Sequence, residues 1–325
     1  MAIEIGPGWT IGGGISIVQP PSAPPESTAG WFGGGYQPAV PKSLSSVNRI
    51  TYATDTATAS VRGPLSLARY GLKSTSNTTY GWFGAGYNLT TVDRITYATD
   101  TATASVRGSL IQVTLNYGVY VAAAAGNTTD GWFGGGYGNG AAGVTTVQRI
   151  NYATDTATSS IRGPLTYNLY AGTAAGNETD GWFAAGYPGQ ATVQRITYAT
   201  DTATASVRGS LSLGRYGLAA AGNTTDGWFA GGNGSGGKTS LVDRITYATD
   251  TATASVRGPL SATKYAFAAA GNSTDGWFAS GTSTPSPGLN TNVDRITYAT
   301  DTNTASTRGP LSSARYLFTG SSGIQ

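Results

Sequence analysis

The sequence predicts an all-β protein, a six-bladed β-propeller with four antiparallel strands per blade. Three observations lead there: one unit occurs six times, four short strands can be read in each copy, and each copy carries an aromatic pair that needs cover on both faces of a sheet. Trp-Phe after Gly recurs at Trp31, Trp82, Trp132, Trp182, Trp228 and Trp277, at intervals of 51, 50, 50, 46 and 49 residues. Arg-Ile-Thr/Asn-Tyr-Ala-Thr-Asp-Thr recurs in step, beginning at Arg49, Arg94, Arg149, Arg195, Arg244 and Arg295. Residues 30–325 are assigned to the propeller and residues 1–29 to a separate N-terminal segment.

The fifth copy shows the elements in order. Tyr216 to Asn223 is an apolar run rich in Ala and Gly, suited to the innermost strand, where six blades converge and large side chains would collide. Asn223-Thr-Thr-Asp-Gly227 reads as a turn, and Asp-Gly at Asp130, Asp180, Asp226 and Asp275 as a hairpin signal. Trp228 to Gly232 is the second strand; after a loop, Val242 to Thr249 is the third; a turn at Asp250 leads into the fourth, Thr251 to Arg257. No sustained 3.6-residue period occurs, so no helix is expected.

In a strand, Trp228 and Phe229 point to opposite faces, so both are buried only in a sheet sandwiched between two others. Each buried Trp, at about 150–250 Å² and about 25 cal/mol per Å², contributes at most roughly 4–6 kcal/mol before entropy is subtracted. The six Trp residues are therefore expected to form the inter-blade core. The chain opens with the second strand of a unit at Trp31 and ends with a first strand, Tyr316 to Gly320. The C-terminal strand should complete the N-terminal blade and remove two open edges.

Composition excludes much chemistry. There is no Cys and no His, and Glu occurs only at Glu4, Glu26 and Glu178, so disulfides, thiolate nucleophiles, Ser-His-Asp triads and imidazole or thiolate metal sites cannot form. No cofactor or metal is expected. The charged fraction is 11%, and 19 Lys and Arg face 16 acids without any basic run, so nucleic acid is not the expected partner. Met1 to Gly14 lacks a basic n-region and an unbroken apolar h-region, and no window approaches eighteen apolar residues, so neither a signal peptide nor a membrane span is expected.

The order Arg215 to Leu218, Gly231-Gly232, Val242 to Tyr247 and Asp250-Thr251 resembles the kelch repeat family over about nine-tenths of the chain. The sequence departs from that pattern on the fourth strand, where Thr253 and Ala254 stand in place of a Trp, and only the last Gly of the pair occurs in all six units (Gly35, Gly86, Gly136, Gly186, Gly232, Gly281). The resemblance implies a propeller and little about activity. The near-identical repeats after a Gly-Ile lead, Ile3 to Ile15, are also similar to structural proteins of tailed bacteriophages, especially those of marine cyanobacteria. That resemblance implies a component of the virion, in the tail, a fibre or a capsid appendage, with other virion proteins as partners and a host surface glycan as a further candidate.

Candidate sites follow from what repeats and what does not. Asp55, Asp100, Asp155, Asp201, Asp250 and Asp301 are isolated carboxylates, lacking the neighbouring acids of a calcium loop, and are expected to accept hydrogen bonds from their own turns. The repeated Arg, six in Arg-Ile and six more from Arg62 to Arg308, suit phosphates or acidic glycans, but the Asp six residues after each first Arg favours an ion pair repeated in every blade. The Asn-x-Ser/Thr triplets at Asn77, Asn88, Asn127, Asn177, Asn223 and Asn272 are explained better by turn chemistry than by glycans. Loops between second and third strands differ in every unit, and Tyr36, Lys42, Tyr87, Tyr137, Tyr187 and Lys238 beside or within them are the candidate ligand-facing residues. Ile3, Ile5, Trp9, Ile11, Ile15 and Ile17, followed by a Pro-rich spacer, are the candidate docking residues for another chain. These features point to a non-enzymatic virion structural or attachment protein. A glycan-binding lectin is the alternative, and a glycoside hydrolase, for which the paired carboxylates are lacking, a weaker one.

Overall fold

A computed structural model describes residues 27–38, 42–112, 118–138, 143–283 and 288–322. The six repeats fold as six antiparallel sheets, each with a core of four strands. In the fifth these are Ala219–Gly222, Asp226–Ala230, Val242–Thr246 and Ser255–Arg257. After the third strand every repeat makes one turn of 3-10 helix, such as Tyr247–Thr249, where the sequence pattern predicts continuing strand. A single turn is too short to leave a helical period in the sequence.

The hairpin between first and second strands also differs from the expected form. Asn223 Oδ1 accepts hydrogen bonds from the amides of Thr225 (3.0 Å) and Asp226 (2.9 Å), and its own amide donates to the Asp226 carbonyl. The Asn side chain thus shapes the turn by itself. Asp226 and Gly227 lie inside the second strand, opposite Thr246 and Ile245, so Asp-Gly is no turn signal here.

In the first sheet, Thr319–Ser322 pairs antiparallel with Ala29–Gly33, placing Trp31 opposite Ser321 and Phe32 opposite Gly320. The pairing takes up only the last two residues of the Tyr316–Gly320 run predicted for it and continues to Ser322, because Leu317 adopts a positive φ of 54° that breaks the extension. Its counterparts Gly71, Val121, Ala171, Gly217 and Ala266 share that left-handed backbone. The twist has a partner in each case. The amides of Gly71, Leu317, Ala266, Gly217, Ala171 and Val121 donate in turn to the carbonyls of Leu317, Ala266, Gly217, Ala171, Val121 and Gly71, at 2.7–3.0 Å, so six backbone hydrogen bonds complete a circle. Small or strained residues are tolerated there because each bond links two sheets.

The space between successive sheets is filled in one repeated way. Between the fourth and fifth sheets, Trp182, Val193 and Leu211 meet Phe229, Ile245, Tyr247 and Ala254, all buried. Between the sixth and the first, Trp277, Val293 and Leu311 meet Phe32, Ile50, Tyr52 and Ala59. The Trp faces one neighbour and the following Phe the other, so both faces of each sheet are covered. The fold is a β-propeller.

A polar clasp accompanies this packing. The Trp182 indole lies flat on Tyr247 of the next sheet, centroids 3.8 Å apart, and its Nε1–H donates to Asp250 Oδ2 at 2.8 Å. The same oxygen takes Arg195 Nη1 at 3.1 Å and faces Arg208 Nε at 3.4 Å. Five equivalent clasps are present, and the one from Trp277, Arg295 and Arg308 to Asp55 joins the sixth repeat to the first. Gly209, after the second Arg, approaches the same turn so closely that a Cβ would lie 1.9 Å from the Ala252 carbonyl oxygen, which excludes any other residue.

Two predictions follow from these contacts. Asp250→Ala leaves a buried indole N–H and two guanidinium groups without their shared acceptor and is expected to cost about 3–5 kcal/mol in urea unfolding, with Asp250→Asn milder. A loss under 1 kcal/mol would show that the clasp contributes little. Removing residues 319–325 should unpair Ala29–Gly33 and strip cover from the first sheet, lowering the melting temperature by many degrees; an unchanged melt contradicts the pairing.

Candidate functional site

The two Arg series and the Asp series are brought together by the clasp, but not as the spacing predicts. Each Asp pairs with the Arg residues of the preceding repeat and not with the Arg six residues before it: Arg49 and Arg62 with Asp100, Arg244 and Arg257 with Asp301. Nor does the carboxylate mainly serve its own turn. The stacked Trp and Tyr hold the sheets so that the turn of one repeat overlies the third strand of the one before. In repeats three to six the first Arg also faces the strand-start Asp, as in Arg149 Nε to Asp130 Oδ1 at 3.6 Å. In the second repeat Tyr80 occupies that place and Arg94 sits over its ring, 4.3 Å from the centroid. These arginines are structural.

A second set of polar groups is wholly buried. Asp93 meets Arg69 at 2.6 Å, Asp243 meets Arg215 at 2.9 Å, and Asp294 lies 3.6 Å from Lys264. Where the cation is replaced by Val119 or Leu169, the partner on the third strand is Gln148 or Gln194 and bonds backbone instead. Arg315, opposite Asn48, is held by the carbonyls of Gly34 and Ser46 and the hydroxyls of Ser46 and Ser313. Burial pushes its guanidinium down to about 10. Matching substitutions at the residue before Arg-Ile and the residue before Tyr were visible in the sequence and signal an internal pair, not a ligand site.

What remains is concentrated at one end of the sheets. Tyr70, Tyr120, Tyr170, Tyr216, Tyr265 and Tyr316 each precede a left-handed residue of the hydrogen-bonded circle, and Tyr36, Tyr87, Tyr137 and Tyr187 follow second strands. Edge-to-face, tilted and stacked contacts at 5.0–6.3 Å link these ten rings in sequence from Tyr316 through Tyr36 to Tyr265. Desolvation, reinforced by neighbouring phenols, pushes Tyr120 and Tyr265 well above the usual tyrosine range. Those two phenols stay protonated and offer both a donor and an acceptor.

The belt is interrupted in the fifth and sixth repeats, where Asn233 and Thr282 replace its outer tyrosines. Asn233 Nδ2 donates to the Tyr216 hydroxyl at 2.8 Å. Beside this interruption lies an open cavity of about 410 Å³ lined by Tyr187, Pro188, Leu213, Tyr216, Asn233 and Ser235, with intervening glycines. Tyr187 and Leu213 are 44% and 38% exposed, so apolar surface is available beside polar groups. The variable second-to-third-strand loops emerge at this same end.

Of the other candidate residues, Lys42 is exposed on a short hairpin strand with Ser43, and Lys238 Nζ donates to the Ser283 carbonyl at 2.8 Å. The Asn residues of five triplets shape their hairpins, and Asn77, Asn127, Asn177 and Asn223 reach with Nδ2 to a carbonyl of the next repeat. Asn88 adopts a positive φ of 57°. The six Trp residues lie between sheets, at most 5% exposed. The candidate docking residues Ile3, Ile5, Trp9, Ile11, Ile15 and Ile17 lie outside the described residues. Among the described residues no three acids gather as a metal site, and no helix is long and apolar enough to cross a membrane.

No protein-family model and no curated protein matches the sequence. The structure is similar to the solved structure of YjhT, with a TM-score of 0.65 over 79% of this chain and 88% of that one, at 11% sequence identity. At that identity the likeness is one of fold, and it agrees with the propeller arrangement of the sheets.

Proposed function

We propose that this chain is a non-enzymatic recognition module: a six-bladed, kelch-like propeller, closed by its C-terminal strand, that serves as a structural or attachment protein of a bacteriophage virion. The observation that carries the reading is the asymmetry between its two ends. At the turn end the polar side chains that repeat are spent on holding one sheet to the next; at the other end the loops vary, the tyrosines gather and the open cavity lies. A rigid ring with one variable aromatic face is suited to display. Docking is assigned to residues 1–29, whose apolar Ile and Trp are claimed by no repeat.

The non-enzymatic part rests on the carboxylates. Every described Asp is engaged by Arg, Lys, Trp, Ser, Thr or Asn, and none lines the open cavity. Glu178 bonds Thr128 at 3.0 Å in an exposed turn. A glycosidase would need two carboxylates free to face one bond. The cavity between Tyr187 and Tyr216 favours a second reading, a lectin, since tyrosine faces with an adjacent amide suit a sugar ring.

Two experiments separate these readings. A chain starting at Ser27 should fold with an unchanged melting temperature yet fail to join the assembled particle; normal incorporation would place docking on the sheets. On a glycan array, the lectin reading expects binding that Tyr187→Ala weakens by about ten-fold or more. Glycosidase turnover abolished by replacing one Asp would overturn the non-enzymatic assignment.

A further inference from the structure

The first strands of the six sheets surround an axial channel, described by three cavities that share lining residues. The widest, about 120 Å³, opens at the turn end among Ser74, Ser76, Ser321 and Ser322, with the exposed Glu178 at its mouth. A middle cavity of about 60 Å³ continues inward past Ser74, Ala124, Ala220 and Gly320 to Lys73, Thr173 and Thr319. The innermost, about 30 Å³, lies between Lys73 and the hydrogen-bonded circle, with Tyr265 at its end.

Among the described residues Lys73 is the one charged side chain on the six first strands. The other five repeats carry Ala123, Thr173, Ala219, Ala268 and Thr319 at its position. Its ammonium has no ion pair and no hydrogen bond among the described residues, whereas every described Asp is already paired. Half-buried in the wall of the channel without a counter-charge, it is placed to take an anion from solvent. Beside it the Thr319 hydroxyl donates to Ser74 Oγ at 2.8 Å, which in turn donates to the Gly320 carbonyl, and the Thr173 hydroxyl lines the same cavity.

We propose that the axial channel is a binding site for a small oxyanion, of the sulfate or phosphate class, seated in the middle cavity against Lys73 Nζ and the Thr173 hydroxyl. The rest of the middle cavity is walled by Ala, Gly, Ser74, Leu218, Phe267 and Phe318, and the circle of backbone hydrogen bonds lies beyond it. Entry is from the Ser322 mouth. Lys, a compact point charge with three donors, suits a tetrahedral anion in a narrow space better than Arg. Desolvation pushes the Lys73 ammonium down to about 8, so occupancy should fall as pH rises through that value. The other titratable groups lining the three cavities are Tyr265, which burial keeps protonated, and the exposed Glu178 at the mouth.

The test uses the full chain and sodium sulfate or inorganic phosphate, titrated by calorimetry at pH 6.5 in a chloride buffer of constant ionic strength. Saturable one-to-one binding is expected, weakened about ten-fold or more in Lys73→Ala. Ala is the residue three other repeats carry there, so this variant should fold; Lys73→Met, of similar length without charge, gives the same reading should Ala disturb packing. Sulfate should raise the melting temperature of the full chain and not of either variant, and its affinity should drop between pH 7 and 9. Equal affinity in the full chain and both variants, or no binding to the full chain at millimolar sulfate and phosphate, would overturn the proposal.

Discussion

The structure depends on one indole. In each repeat a Trp lies flat against the Tyr of the next sheet and gives its only polar hydrogen to the Asp that follows that Tyr by three residues, which also gathers two Arg residues of the Trp's own sheet. Large apolar area, a satisfied buried donor and a shared charge partner are thereby concentrated at every seam. Each clasp ties one sheet to the next, and the one from the sixth repeat reaches the first, where Asp55 accepts from Trp277 at 2.9 Å. Removing part of a clasp leaves the rest buried and unsatisfied, so its members are expected to act as a unit.

Equal seams explain why the repeats are so alike. A substitution in Ala-Thr-Asp-Thr or Val-Arg-Gly would disturb contacts with the neighbouring sheet, at a junction where Gly209 already leaves no room for a Cβ. Interior variation is found where it can be matched within one repeat, as when Gln148 and Gln194 replace Asp opposite Val119 and Leu169. A buried Asp without its cation would be strongly unfavourable, and a Gln in the same space is not.

The two ends of the ring consequently have different freedom. The turn end is held by Asn side chains and clasp residues. The opposite end bears the tyrosine belt and the variable loops, which take no part in the clasps and can vary without disturbing them. The interruption of the belt at Asn233 and Thr282 gives that face a direction, with the open cavity beside it. Lys73 is a separate departure inside the ring, where the first strand of the second sheet meets the C-terminal strand through Ser74, Ser76 and Tyr97, whose hydroxyls bond Gly320, Ser322 and Ser321.

The sequence by itself determined the all-β class, the number of repeats, the phase that brings the C-terminal strand to the first sheet, and the burial of both Trp and Phe. These follow from local periodicity and from counting faces, neither of which needs a partner's coordinates. Only the tertiary structure decided which Asp meets which Arg. Spacing within a repeat offered the partner six residues away, but the rotation between sheets puts the turn of one repeat over the strands of the repeat before, and that rotation is a property of packed volumes that no single repeat encodes. The tyrosine belt was hidden for the same reason: its ten rings lie at two positions per unit, far apart in the chain, and become one surface only when six strands converge on an axis.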